Sequence, residues 1–309
     1  NISVLMQEMK TILAVGSIAI DTVQTPNGSR DNILGGSATY FSLAASLFSP
    51  VKVVGVVGND YPEAGWNLFK SHNINTDNVQ VINGKTFRWG CKYNHNYSTR
   101  DTLFTELGVF ESFSPVIKDE DCRSPFVFLG NIQPDLQLDV ARLTTSAEYI
   151  VSDTMNLWID MCPDKVEEVL AISNIFLLNH EEAFQFTGVN NIPDAACQLR
   201  NAGPKAVIIK MGEKGAYLSF KDKALYVPVF PVDRVVDPTG AGDSFAGGFM
   251  GYLANADDPD FVEAVVYGSA IASFVVENFG PDSLLNVTRD SLGERIDNIK
   301  GLILASEGA

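Results

Sequence analysis

The segment DPTGAGDSFAGGF, residues 237–249, sets glycines at 240 and 242 directly before an aspartate at 243. Glycine admits backbone conformations closed to other residues and lets a ligand approach the main chain. A β-branched run, VDRVV, precedes the segment and a periodic helical stretch beginning near Asp243 follows it, so the glycines belong to a strand-to-helix turn. The N–H groups of Ala241, Gly242 and Asp243 are then expected to point out of a helix start whose dipole favours negative charge. Gly240, Ala241 and Gly242 thus form a candidate anion hole. An acidic side chain there suits phosphoryl transfer: the amides offset the charge of the moving group while the carboxylate takes the proton of the attacking hydroxyl. Asp243 is the candidate base, and in part an N-terminal cap. Gly247, Gly248 and Gly251 lie inside the helix, where each costs about 1 kcal/mol relative to alanine. Something must approach this helix closely, and packing against a neighbour accounts for Gly248 and Gly251.

Other ways of holding phosphate are absent. There is no GxxxxGK[ST] segment, and no GxGxxG follows the first apolar run, ILAVGSIAID, which excludes a Walker-type NTPase and argues against a dinucleotide dehydrogenase.

The elements that must position the turn follow from alternation. Apolar β-rich runs (TILAVGSIAI, VKVVGVVG, EYIVSD, IFLLN, KAVIIKMG) are interleaved with helical segments (SATYFSLAASLF, KVEEVLAISN, AACQLRNAG). Strands that are hydrophobic almost throughout are buried on both faces, so the expected fold is α/β, a doubly wound, mostly parallel sheet with helices on both faces. Residues 21–34 and 85–107 break the alternation with polar and aromatic stretches. They read as a small β-sheet lid over the ligand or, equally, as two surface hairpins.

The chain of 309 residues, 46% hydrophobic, is long enough for one large domain or one domain with a small accessory. A formal net charge of −16 excludes steering of nucleic acid or an anionic membrane by a basic field, so anions must be held locally. No apolar run approaches transmembrane length. Cys91, Cys122, Cys162 and Cys197 are scattered without metal or CxxC spacing, as expected of free thiols in a cytoplasmic protein. His72, His95 and His180 likewise show no metal spacing. Residues 1–8, ahead of Met9, read as a leader foreign to the fold.

DPTGAGDSFAGGF closely resembles the C-terminal signature of the ribokinase-like (PfkB) carbohydrate kinases, and GGSATYFSLAASLFSPVKVVGVVGNDYPEAG resembles their N-terminal glycine-pair signature. The resemblance runs over residues 11–305. It implies a doubly wound kinase domain with a β-sheet lid, using ATP and Mg²⁺ to phosphorylate a hydroxymethyl group of a sugar or, alternatively, a nucleoside. Asp243 matches the family's base. Asp21, at the end of the first strand, matches the aspartate that binds substrate hydroxyls, and Gly35 and Gly36 let the substrate approach. NHEEAFQFTG resembles the NxxE element, with Asn179 and Glu182 organising Mg²⁺ and phosphate through water; a capped helix start is the plain alternative. KMGEKGAYL resembles the turn bordering the nucleotide, with Lys210 reaching phosphate and Gly212 and Gly215 shaping the turn or a simple hairpin. Carbonyls near Asp237 and Thr239 match a monovalent-cation site, so K⁺ stimulation is expected.

Tyr40 stands where many members carry a sugar-contacting asparagine. The lid holds Phe87, Trp89, Tyr93 and Tyr97 among Arg88, Lys92, Asn94 and Arg100, and aromatic faces stack on a sugar or a base. Arg88 or Arg100 alternatively binds a phosphate already on the substrate, and the lid equally suits a homodimer contact. A non-catalytic nucleotide or sugar sensor is the reading from another class, against which the retained base speaks.

Overall fold

The computed structural model describes residues 10–97 and 99–307. Residues 1–8, read above as a leader, lie outside the described residues. The chain runs β1 (Ile12–Val15), β2 (Ala19–Thr25), β3 (Gly28–Gly35), α1 (Ser37–Ala45), β4 (Val51–Gly58), α2 (Glu63–Ser71), β5 (Asn75–Ile82), β6 (Phe87–Tyr93) and β7 (Arg100–Glu106). It continues through β8 (Phe126–Leu129), α3 (Pro134–Leu143), β9 (Tyr149–Asp153), α4 (Asn156–Met161), α5 (Pro163–Ile172), β10 (Ile175–Asn179), α6 (His180–Thr187) and α7 (Ile192–Asn201). The last elements are β11 (Ala206–Lys210), β12 (Ala216–Phe220), β13 (Lys223–Val227), α8 (Ala241–Asn255), α9 (Phe261–Val275) and α10 (Arg289–Glu307).

Nine strands form the main sheet in the order β13-β12-β11-β10-β9-β8-β1-β4-β5. All neighbours from β11 to β5 pair in parallel, and β12 and β13 add an antiparallel edge. Alternate residues feed opposite faces. Ile12 and Ala14 join a core with α1, α8, α9 and α10, whereas Leu13 and Val15 join a cluster on the other side. On that second side, α4 to α7 cover Phe176, Leu178, Val207 and Ile209. Both faces are buried, which is why these strands read as continuous apolar runs.

The two polar and aromatic stretches form one four-stranded sheet, in the order β3-β2-β6-β7, joined by the parallel β2–β6 pair. They are not two separate hairpins. One expectation fails here: the first apolar run is two strands, and Asp21 belongs to the lid strand β2 rather than to the end of β1. The break falls at Gly16 and Ser17. A Cβ on Gly16 would meet Ser37 Oγ at 2.6 Å, and Ser17 and Ser37 each donate a backbone N–H to the other's hydroxyl at 3.0 Å. These bonds staple the chain to the start of α1 as it leaves the main sheet.

The helix glycines pack. A Cβ on Gly247 would fall 2.4 Å from Phe41 O, on Gly248 2.9 Å from Ile271 Cγ1, and on Gly251 2.7 Å from Phe48 Cδ2. α8 is therefore pressed between α1 and α9, which fixes its first turn in place. The four cysteines are free. No single helix among the described residues is long and apolar enough to cross a membrane.

Candidate active site

The glycine turn is anchored from below by Asp237, which has no exposed surface. Its Oδ1 accepts from Thr239 N at 2.9 Å and its Oδ2 from Gly280 N at 3.3 Å. Val236 N and Asp237 N donate to Val276 O at 2.7 and 3.2 Å. The loop is thus tied to the end of α9 before the chain turns at Gly240, which holds φ 76°.

Helix α8 begins at Ala241, earlier than the sequence implies, with Gly240 as the N-cap residue and no side-chain cap. Asp243 is consequently the third residue of the helix and does not cap it. The expected anion hole is also narrower. Ala241 N donates to Pro238 O at 3.2 Å and the Asp243 N–H bonds its own carboxylate, leaving the N–H of Gly242 without an acceptor among the described residues. The Asp243 carboxyl is pushed up to about 7, by burial first and then by Asp153, against the pull of Lys210 and Arg100. A base tuned near neutrality is suited to accept a proton from an alcohol positioned for attack.

A polar row lines the carboxyl ends of the parallel strands, where doubly wound folds bind ligands. Asp153 ends β9, Asn179 ends β10 and Lys210 ends β11. Lys210 Nζ pairs with Asp153 Oδ2 at 2.7 Å and lies 3.1 Å from the position of a Cβ on Gly242. Burial alone would pull this ammonium down, but Asp153 and Glu182 more than offset it and hold its pKa above the usual lysine value. Asn179 and Glu182 form a capping box: Glu182 N donates to Asn179 Oδ1 at 2.9 Å and Asn179 N to Glu182 Oε2 at 2.7 Å. Burial, reinforced by Asp153, pushes the Glu182 carboxyl up to about 7. No three His, Cys, Asp or Glu side chains among the described residues are grouped to hold a metal directly.

Gly212 and Gly215 close the β11–β12 connection as a hairpin, with Met211 N donating to Gly215 O at 2.8 Å and Gly215 N to Gly212 O at 3.0 Å. Gly215 packs against Val227 O, whereas Gly212 borders open space beside Lys210.

Opposite the turn, Asp21 projects from the lid and is 3% exposed. Burial pushes its carboxyl up to about 7, with Asp237 and Asp243 adding, while a hydrogen bond from the Gly36 amide opposes. The glycine pair does work beyond that expected. A Cβ on Gly35 would fall 1.9 Å from Asp21 Oδ2, and one on Gly36, at φ 92°, 2.3 Å from Ser17 O. These glycines also make room for the aspartate and for the bend that carries it.

Tyr40 is 1% exposed and lies beneath the turn: a Cβ on Gly240 would fall 2.4 Å from its ring. Its buried hydroxyl has no hydrogen-bond partner among the described residues. Burial, then Asp237 and Asp21, hold that hydroxyl protonated far above the ordinary range.

The lid is docked on the turn. Tyr93 OH lies 3.2 Å from Thr239 Oγ1, Tyr97 OH donates to Val235 O at 3.1 Å, and Asn27 Nδ2 donates to Val235 O at 2.6 Å. Strand alternation sorts the lid side chains. Trp89 and Tyr93 cluster with Cys91, Val23 and Ile33 on the inner face, and Arg100 stacks on Trp89 at 4.8 Å. Phe87 instead stacks on Phe110, and Arg88 Nη2 donates to Asn32 Oδ1 at 2.7 Å. The structure therefore brings together Asp21, Tyr40, Arg100, Glu182, Lys210, Asp237, Thr239 and Asp243. Sequence reasoning passed over Asp153, whose only signal is an acidic residue closing an apolar strand run.

Residues 9–288 match the family described as pfkB family carbohydrate kinase. A cytidine kinase of Thermococcus kodakarensis is 30% identical over 251 residues, taking in 78% of this chain and 88% of that protein. A ribokinase of Haemophilus influenzae is 25% identical, over 92% of this chain and 97% of its own. Among solved structures, a Burkholderia thailandensis nucleoside kinase in complex with inosine superposes with a TM-score of 0.81 at 18% identity, covering 94% of this chain and 98% of that one. At that identity the likeness speaks for the fold.

Proposed function

We propose, on the premise that this chain belongs to the pfkB family of carbohydrate kinases, that it transfers the γ-phosphoryl group of ATP to the hydroxymethyl group of a ribonucleoside. The observation that carries the phosphoryl-transfer reading is the Asp243 carboxyl, tuned to about 7, beside the Gly242 and Asp243 amides at the uncapped start of α8, the first of which has no acceptor among the described residues. In this reading Asp21 orients the acceptor through its hydroxyls. Asp243 takes the proton of the attacking hydroxyl, and the two amides with the Lys210 ammonium face the phosphoryl oxygens. The docked lid keeps water from the transferred group.

The donor set fits a magnesium–nucleotide complex. In this reading the amides of the α8 start and the Lys210 ammonium meet phosphate oxygens, and Glu182, already committed to its helix cap through Oε2, suits contact through water. Mg²⁺ when bound offsets the phosphate charge. In this reading carbonyls near Asp237 and Thr239 hold K⁺, as the family resemblance implies.

The nucleoside preference is supported by the inner lid face, where the Trp89–Arg100 stack offers a flat surface to a base, and by the similarity to a cytidine kinase. A free pentose is the second reading, favoured by the ribokinase relative. ADP release from MgATP, with and without K⁺, across nucleosides, pentoses, hexoses and their phosphates decides between them. A kcat/KM higher for a nucleoside than for every sugar supports the first; the reverse order overturns it.

A further inference from the structure

Asp153 takes no part in the steps above, yet it is 4% exposed and fixed through both carboxylate oxygens. Its Oδ2 accepts from Lys210 Nζ at 2.7 Å and its Oδ1 from Thr154 N at 3.0 Å. The main chain is held too: Gln137 Nε2 donates to Asp153 O at 2.9 Å while also bonding Leu129 O and Gly130 O at 3.1 and 2.8 Å. Lys210 rises from β11, on the far side of β10 from β9, so the pair spans the end of the strand between them. There the ammonium comes within 3.1 Å of the Gly242 Cβ position. A lysine stem has many rotamers and a buried ammonium needs a partner. Glu182 and Asp243 also act electrostatically on this ammonium. A lysine paired with Asp243 would block the base.

We infer that Asp153 is a positioning residue for phosphoryl transfer, holding the Lys210 ammonium at the start of α8, beside Asp243 and apart from it. The inference rests on the phosphate-facing role given to Lys210 above. Asp153 also raises the Asp243 carboxyl directly, so the variants are compared well above pH 7, where that base is ionised in all of them; there Asp153 acts through Lys210 and the two substitutions do not multiply.

The test measures kcat and both KM values for Asp153→Asn, Lys210→Met and the double variant. Asp153→Asn is expected to lower kcat roughly tenfold or more with little change in the acceptor KM, and the double variant to be no slower than Lys210→Met alone. Wild-type kcat in either single variant, or losses that multiply in the double, overturns the inference. Should Asp153→Asn not be recovered folded, Asp153→Glu keeps the charge and moves the ammonium: a loss of kcat at unchanged MgATP affinity supports the inference, and full kcat overturns it. Reductive methylation of Lys210, read by mass spectrometry, needs no turnover. A faster rate in the Asp153 variant is expected, because the amine loses its anionic partner, and an unchanged rate overturns the inference. A wild-type protein that turns over no acceptor sinks the kinase reading, while the methylation rate still decides the pair.

Discussion

The ring of Tyr40 fills the space a side chain at position 240 would need: a Cβ on Gly240 would lie 2.4 Å from Tyr40 Cγ. Gly240 also sits in the left-handed region, at φ 76°. The glycine at the head of the catalytic helix is therefore required twice, once by its own conformation and once by its neighbour. Gly240→Ala is expected to destabilise the protein by about 3 kcal/mol, the sum of overpacking and a left-handed alanine. A melting temperature equal to that of the wild type contradicts this packing.

Tyr40→Phe separates packing from binding. The ring stays, and the hydroxyl that leaves has no partner among the described residues, so stability should change by less than about 1 kcal/mol. The acceptor KM should rise severalfold, since the hydroxyl is a protonated donor in the field of Asp21 and Asp237. An unchanged acceptor KM removes Tyr40 from the binding set.

The contact of Gly35 with Asp21 yields its own prediction. Gly35→Ala pushes a methyl into the Asp21 carboxylate, so it should reproduce the kinetic defect of Asp21→Asn: a large fall in kcat/KM for the acceptor with little change in the KM for ATP. Opposite kinetic patterns in the two variants count against the placement of Asp21.

The pH dependence follows from raised carboxyl groups. Asp243 in the folded protein is pushed up to about 7 from an ordinary aspartate value near 3.8, so between these the folded state binds more protons than the unfolded one. This group's contribution to stability is fully present below the lower value, declines as pH rises through the interval and levels off above the upper. Asp243→Asn removes the dependence. Its melting temperature relative to the wild type should rise with pH between these limits, as followed by thermal unfolding in a buffer series. A constant difference across that range contradicts a raised Asp243. In the free wild-type enzyme kcat/KM should rise with an apparent pKa close to 7, as the base ionises.

The sheet and the turn were legible because their signals are local. Continuous apolar runs state burial on both faces, and glycines before Asp243 state a turn that opens a helix. What escaped was set by contacts across the chain. Nothing near Ser17 announces the reciprocal hydrogen bonds with Ser37 that end β1 and move Asp21 into the lid. Likewise, nothing in the sequence beside Gly35 and Gly36 shows that a side chain there would meet Asp21 and Ser17. Asp153 was invisible for the same reason: its partner, Lys210, lies two strands away in the sheet.

The central claim is that Asp243 is the base of an ATP-dependent phosphotransferase. The most direct measurement is acceptor-dependent ADP release by Asp243→Asn beside its affinity for MgATP and for the acceptor. The account predicts a loss of kcat of roughly a hundredfold or more, within the range for removal of a general base, with both ligands still bound. Turnover at the wild-type rate by a variant that binds both substrates would contradict it.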